Sequence, residues 1–84
     1  MSGWVYIVRC ADGTLYTGAT TNVEERIKTH NAGKGAKYTR GRLPVTLVFT
    51  EEVSDYHAAQ SREWHIKKMT KDEKEKLIAE YNNQ

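Results

Sequence analysis

Tyr6 and Tyr16 stand on either side of a turn at Ala11-Asp12-Gly13, and Arg26 and His30 follow four residues apart. Glu63 comes later, alone within an otherwise apolar stripe. Each of these residue types has a part in phosphoryl chemistry. A tyrosine hydroxyl can position or deprotonate a water. An arginine grips a phosphate through two parallel hydrogen bonds. A histidine donates, accepts or passes on a proton near neutral pH. A lone carboxylate suits a magnesium-type cation, which keeps several waters and shares the substrate's phosphate oxygens. Together they are the parts of a one-metal phosphodiester hydrolase.

Such a site needs both tyrosines on one face, and the turn decides that. Residues 4–8 (Trp-Val-Tyr-Ile-Val) read as a strand rich in β-branched and aromatic side chains, apolar enough to be covered on both faces. Residues 14–19 read as the returning strand. Because side chains alternate, a two-residue turn at Asp12-Gly13 would pair Tyr16 with Arg9 and send the two tyrosines to opposite faces. A three-residue loop, Ala11-Asp12-Gly13, pairs Tyr16 with Val8, with Gly13 in the left-handed position that such a loop requires. Tyr6, Val8, Tyr16 and Gly18 then share a face. We expect the three-residue loop.

The remaining elements follow from caps and periodicity. Asn22, with Glu25 three residues on, starts a first helix that ends near Gly33. Arg26 and His30 lie one turn apart on it and share a face, either toward a site or toward solvent. Residues 34–43 read as a loop, and Pro44 precedes a third strand over 45–51. Ser54 is a cap for a second helix reaching about Lys68. On that helix Ala59, Ile66 and Met69 form an apolar stripe, and Glu63 falls on it. A carboxylate there is costly unless it binds a metal, pairs with Arg62 or Lys67, or sits at the stripe's edge. Thr70-Lys71-Asp72-Glu73 reads as a capping box for a third helix burying Leu77, Ile78 and Tyr81. The order β-β-α-β-α-α predicts an α+β fold, a small three-stranded antiparallel sheet flanked by three helices, with residues 1–84 as one domain.

Bulk properties narrow the class. Of 84 residues, 38% are hydrophobic and 29% charged, the usual balance of a globular domain, with a formal net charge of +2. There is no apolar run of membrane-spanning length and no signal-peptide pattern. Cys10 is the only cysteine, so no internal disulfide forms, and a reduced, cytoplasmic setting is expected. The charge is uneven. Arg26, Lys28, Lys34, Lys37, Arg40 and Arg42 occur in a stretch that has no acid from Arg26 to Thr50. With Tyr38 among them, Lys34, Lys37, Arg40 and Arg42 form a candidate nucleic-acid contact, or else a solvated basic loop. The histidines and Cys10 lack zinc-ligand spacing, and His57 and His65 read as solvated.

The ordered set resembles the GIY-YIG nuclease superfamily. Its two name triplets align with Trp4-Val5-Tyr6 and Tyr16-Thr17-Gly18, and the match continues through Arg26, His30 and Glu63 over nearly the whole chain. Cys10-Ala11-Asp12-Gly13 and residues 33–41 look like the small stand-alone branch, the YhbQ-like proteins. The chain departs from the name at Trp4, Val5 and Thr17, and it has Ala19 where many relatives carry lysine. The resemblance implies a metal-dependent endonuclease cleaving DNA with one Mg2+ or Mn2+ ion, of a kind found in DNA repair or processing. RNA carries the same linkage and stays open. Carried over by position, Glu63 would hold the metal and Tyr16 would activate the attacking water. Tyr6 would orient water or phosphate. Arg26 would stabilise the transition state, His30 would assist proton transfer, and Gly18 would let the backbone pass close. Because larger relatives take target choice from extra domains, a protein partner supplying specificity is also implied. The alternative is a non-catalytic nucleic-acid-binding module on a decayed nuclease fold.

Overall fold

A computed structural model describes residues 2–83. Its elements run β1 (Gly3–Arg9), β2 (Leu15–Thr20), α1 (Val23–Asn31), α2 (Lys37–Arg40), β3 (Thr46–Val53), α3 (Tyr56–Lys67) and α4 (Lys71–Asn82). The strands form one antiparallel sheet in the order β2-β1-β3. The sheet and the helix order are those expected from the sequence. The stretch 34–43 is not wholly loop, however. It contains the single turn α2, whose Thr39 is buried.

The hairpin takes the three-residue loop. Val8 pairs with Tyr16 and Arg9 with Leu15, while the Cys10 amide bonds to the Thr14 carbonyl at 2.8 Å. Gly13 has φ +85°, the left-handed backbone that closes this loop. Asp12 stiffens it by accepting from the Thr14 hydroxyl and amide. Tyr6 therefore lies directly opposite Gly18.

Central strand β1 is covered on both faces, and Val5, Tyr6, Ile7 and Val8 are all buried. On one face Val5, Ile7 and Phe49 pack with Ile66 of α3 and Ile78 of α4, flanked by Met69, Leu77 and Tyr81. On the other, Tyr6 and Val8 pack with Cys10 and Val45, and with Tyr16, Ile27 and Leu43. β2 is left as an open edge strand, with α3 packed across β1 and β2.

Caps hold the helices in register. Asn22 accepts from the Glu25 amide, and α1 ends with Gly33 at φ +77°, its amide bonding back to the His30 carbonyl. The cap of α3 is Asp55 and not Ser54. Its carboxylate accepts from the Ala58 amide at 2.8 Å, and a negative charge is favourable at a helix N-terminus. Thr70 and Glu73 form the full capping box of α4. Asn31 pins α1 to the start of β3 by exchanging two hydrogen bonds with the Val45 backbone. Arg9 ties β1 to α4 through both oxygens of Glu75.

Candidate active site

The Tyr6 side chain lies across the backbone of Gly18. A Cβ at position 18 would collide with its hydroxyl and ring, so only glycine lets the phenol pass. Its hydroxyl meets His30 Nε2 at 2.8 Å, and His30 Nδ1 meets Thr39 Oγ1 at 3.0 Å. The tautomer follows from the end of this chain. Thr39 Oγ1 donates its proton to the Ala36 carbonyl at 2.8 Å, so toward His30 it can only accept. Nδ1 therefore carries the hydrogen, Nε2 is a bare acceptor, and Tyr6 donates to it. Gly35 sits against the imidazole, where a Cβ would strike Nδ1.

Electrostatics favours the same protonation state. Burial, and then the Arg26 charge, lower the His30 pKa below its ordinary value, so the imidazole is neutral at pH 7. Burial pushes the Tyr6 phenol up to about 12, although the hydrogen bond and charge of Arg26 pull the other way. At neutral pH only about one Tyr6 in 10^5 is ionised. Arg26 Nε donates to the Tyr6 oxygen at 3.4 Å. That bond, more than the nearby Tyr16, raises the guanidinium pKa. Tyr6 and His30 are 1% and 0% exposed, so both lie beneath the surface of the site, while Tyr16 and Arg26 are half-buried and form its wall.

The rings of Tyr16 and His30 meet edge-on at 5.4 Å, and Tyr16 stacks on Tyr38 at 5.9 Å. A cleft of about 460 Å³ opens beside Arg26, lined also by Ala19, Thr20, Thr21 and Tyr56. It lies at the C-terminal end of β2.

Glu63 approaches from α3. Its side chain is 21% exposed and bonds the Lys67 ammonium at 2.7 Å. It lies near enough for its charge to raise the Tyr6 pKa. Lys67 in turn lies 5.6 Å from the centre of the Tyr16 ring. The helix-stripe position of Glu63 is thus satisfied by the lysine one turn on, while Arg62 pairs with Glu51. Among the described residues no cluster of three or more acidic, histidine or cysteine side chains could cage an ion. A single partly exposed carboxylate fits a hard, mostly hydrated cation such as Mg2+ or Mn2+ and not a zinc-type cage.

The basic stretch divides between exposed and paired side chains. Lys34, Lys37, Tyr38 and Arg40 are exposed, with Arg40 Nε reaching the Gly35 carbonyl at 3.3 Å. Arg42 is committed elsewhere, pairing with Asp12 at 3.0 Å and capping the Tyr38 ring at 4.2 Å. Thr39, Tyr56 and Lys67 are neighbours of the site, and the sequence names none of them as a site residue, Lys67 entering only as a pairing partner for Glu63. Of these, only Lys67, four residues after Glu63 on one helix, carried a legible signal.

The GIY-YIG catalytic domain model matches residues 2–76. The chain belongs to the GIY-YIG family. Within that family it is 56% identical to a UPF0213 protein of Natronomonas pharaonis, covering 92% of this chain and 91% of the relative. It is 57% identical to one of Staphylococcus haemolyticus, covering 92% and 94%. The solution NMR structure of a UPF0213 protein from Bacillus halodurans matches with a TM-score of 0.60 at 47% identity, covering 94% of this chain and 84% of that one. An NMR structure from E. faecalis matches with a TM-score of 0.65 at 36% identity, covering 100% and 90%. This GIY-YIG chain is therefore of a nuclease type, the class whose substrates are nucleic acids. No helix among its described residues is long and apolar enough to cross a membrane.

Proposed function

We propose that the chain is a divalent-metal-dependent endonuclease that hydrolyses phosphodiester bonds, with DNA as substrate. The observation that carries this reading is the directed hydrogen-bond chain from Ala36 through Thr39, His30 and Tyr6 to Arg26. It ends at a guanidinium on the cleft wall, beside Tyr16.

Glu63 would hold one Mg2+ or Mn2+ ion, which when bound supplies Lewis acidity at the phosphate. The Arg26 guanidinium, unpaired with any carboxylate among the described residues, donates to the non-bridging phosphate oxygens and offsets charge developing on them. Tyr16, part-exposed, orients the attacking water. Tyr6 and His30 act from behind. Buried as they are, they hold Arg26 and the Tyr16 ring in place and do not themselves touch substrate. Preorganisation of this kind keeps the donor fixed as charge builds up.

The test is a panel of labelled DNA and RNA structures incubated with and without manganese. Wild type should cut, while Glu63→Ala and Tyr16→Phe should not, with both variants folded by circular dichroism. Cutting unchanged in Glu63→Ala, or salt-sensitive binding with no cutting in any metal, would overturn the enzyme reading. The second result would favour a binding module.

A further inference from the structure

A second cleft, of about 190 Å³, is lined by Thr14, Leu15, Tyr38, Lys71 and Lys74, and its Tyr38 wall stacks on Tyr16. Like the cleft at Arg26, it holds a part-buried cation that no carboxylate faces among the described residues. The part-buried Arg9, Arg42 and Arg62 each face a carboxylate, Glu75, Asp12 and Glu51 respectively, and Lys67 faces Glu63. Lys74 is half-buried and has no carboxylate within 4.0 Å among the described residues. Burial, and then the charge of Lys67, depress its pKa. A part-buried ammonium with no carboxylate partner of its own, and with exposed Lys71 at the same cleft, gains from a bound anion. The fold builds this arrangement on a rigid capped helix that Arg9 clamps to the sheet. The two clefts thus sit at the two ends of β2, one at Thr20 beside Arg26 and the other at Leu15 beside the lysines.

We infer that the Lys71–Lys74 cleft is a phosphodiester subsite, taking a backbone phosphate of the nucleic-acid strand next to the one at Arg26. This rests on the nuclease reading and extends it, because the strand would then run along the open edge of β2 with Tyr16 between two cationic grips. Tyr38 forms the cleft wall. Its ring is already engaged by Tyr16 and Arg42, so the subsite reads phosphate and not base.

The test is fluorescence anisotropy with labelled single-stranded DNA and, in a parallel arm, RNA of the same sequence, in EDTA so that nothing is cleaved. The proteins are wild type, Lys71→Gln/Lys74→Gln, Lys71→Arg/Lys74→Arg, and Lys76→Gln, which alters a lysine lining a different cleft with Glu73 and Glu80. The glutamine pair should weaken binding about tenfold at low salt and flatten the log–log salt dependence by about 1.4, the release expected from two single-strand contacts. The arginine pair should restore both, and Lys76→Gln should change neither. Loss in either arm supports the subsite, and the larger loss names the strand it takes. Wild-type affinity and slope in the glutamine pair would overturn the subsite and leave the nuclease reading standing. No binding of either strand by wild type would overturn both.

Discussion

Tyr6→Phe removes one oxygen from the centre of the molecule. The hydroxyl donates to His30 Nε2 at 2.8 Å, and His30 is 0% exposed, so no solvent can replace the donor. Arg26 loses an acceptor too, but its guanidinium is half-buried and can turn to water. The cost is therefore that of one orphaned buried acceptor, about 1–3 kcal/mol. A loss of about 2 kcal/mol lowers the melting temperature of a domain this size by about 8–16 °C. Urea denaturation reads it directly, as a lower midpoint with an unchanged slope. Thr39→Val orphans the opposite nitrogen of the same ring, so the double variant should be non-additive, coupled by about 0.5–3 kcal/mol. Nitrogen-15 NMR of His30 in wild type should show hydrogen on Nδ1 and none on Nε2. Finding hydrogen on Nε2, or a Tyr6→Phe loss below about 0.5 kcal/mol, would refute the hydrogen-bond directions.

Acid stability should follow His30. Its folded pKa is lowered chiefly by burial, so below the ordinary value of ~6.5 the unfolded chain binds more protons. Stability is then full above that pH and falls below it, by at most about 1.4 kcal/mol per pH unit. Urea midpoints that stay flat from about pH 7.5 to about pH 5.5 would contradict this. Thr17→Val should stabilise the fold by about 1 kcal/mol, because Thr17 is 2% exposed and its hydroxyl has no partner. The same denaturation assay checks it, and a loss would mean that the hydroxyl is satisfied. Lys67→Met should free Glu63 and raise Mn2+ affinity about two- to fivefold, the worth of a partly exposed ion pair. Water-proton relaxation without nucleic acid measures this, and unchanged affinity would mean that Lys67 does not compete for the carboxylate.

Local rules made much of the fold legible in the sequence. Gly13 closes the loop that sets the register of β2, because only a residue at ease in the left-handed region does so without strain. Thr70 and Glu73 start α4, and Gly33 stops α1, through hydrogen bonds spanning a few residues. Where two local candidates competed, sequence was a weaker guide. Ser54 and Asp55 both can cap, and Asp55 wins with its charge and the geometry of the turn. The turn α2 carries no apolar periodicity to announce it, only the buried Thr39.

The sequence by itself determined that Tyr6 and Tyr16 share a face once a three-residue loop closes at Gly13, that Arg26 and His30 share another, and that Glu63 breaks an apolar stripe. All three depend on the fixed periods of strand and helix. Tertiary structure alone decided that Thr39 sets the His30 tautomer, and that Tyr6 and His30 lie beneath the surface while Tyr16 and Arg26 line it. It also drew Lys67 to the Tyr16 ring and Lys74 to the cleft at Tyr38, from separate helices, and left Arg42 paired with Asp12. Burial and charge pairing are set by packing between elements far apart in the chain, and no local period encodes them.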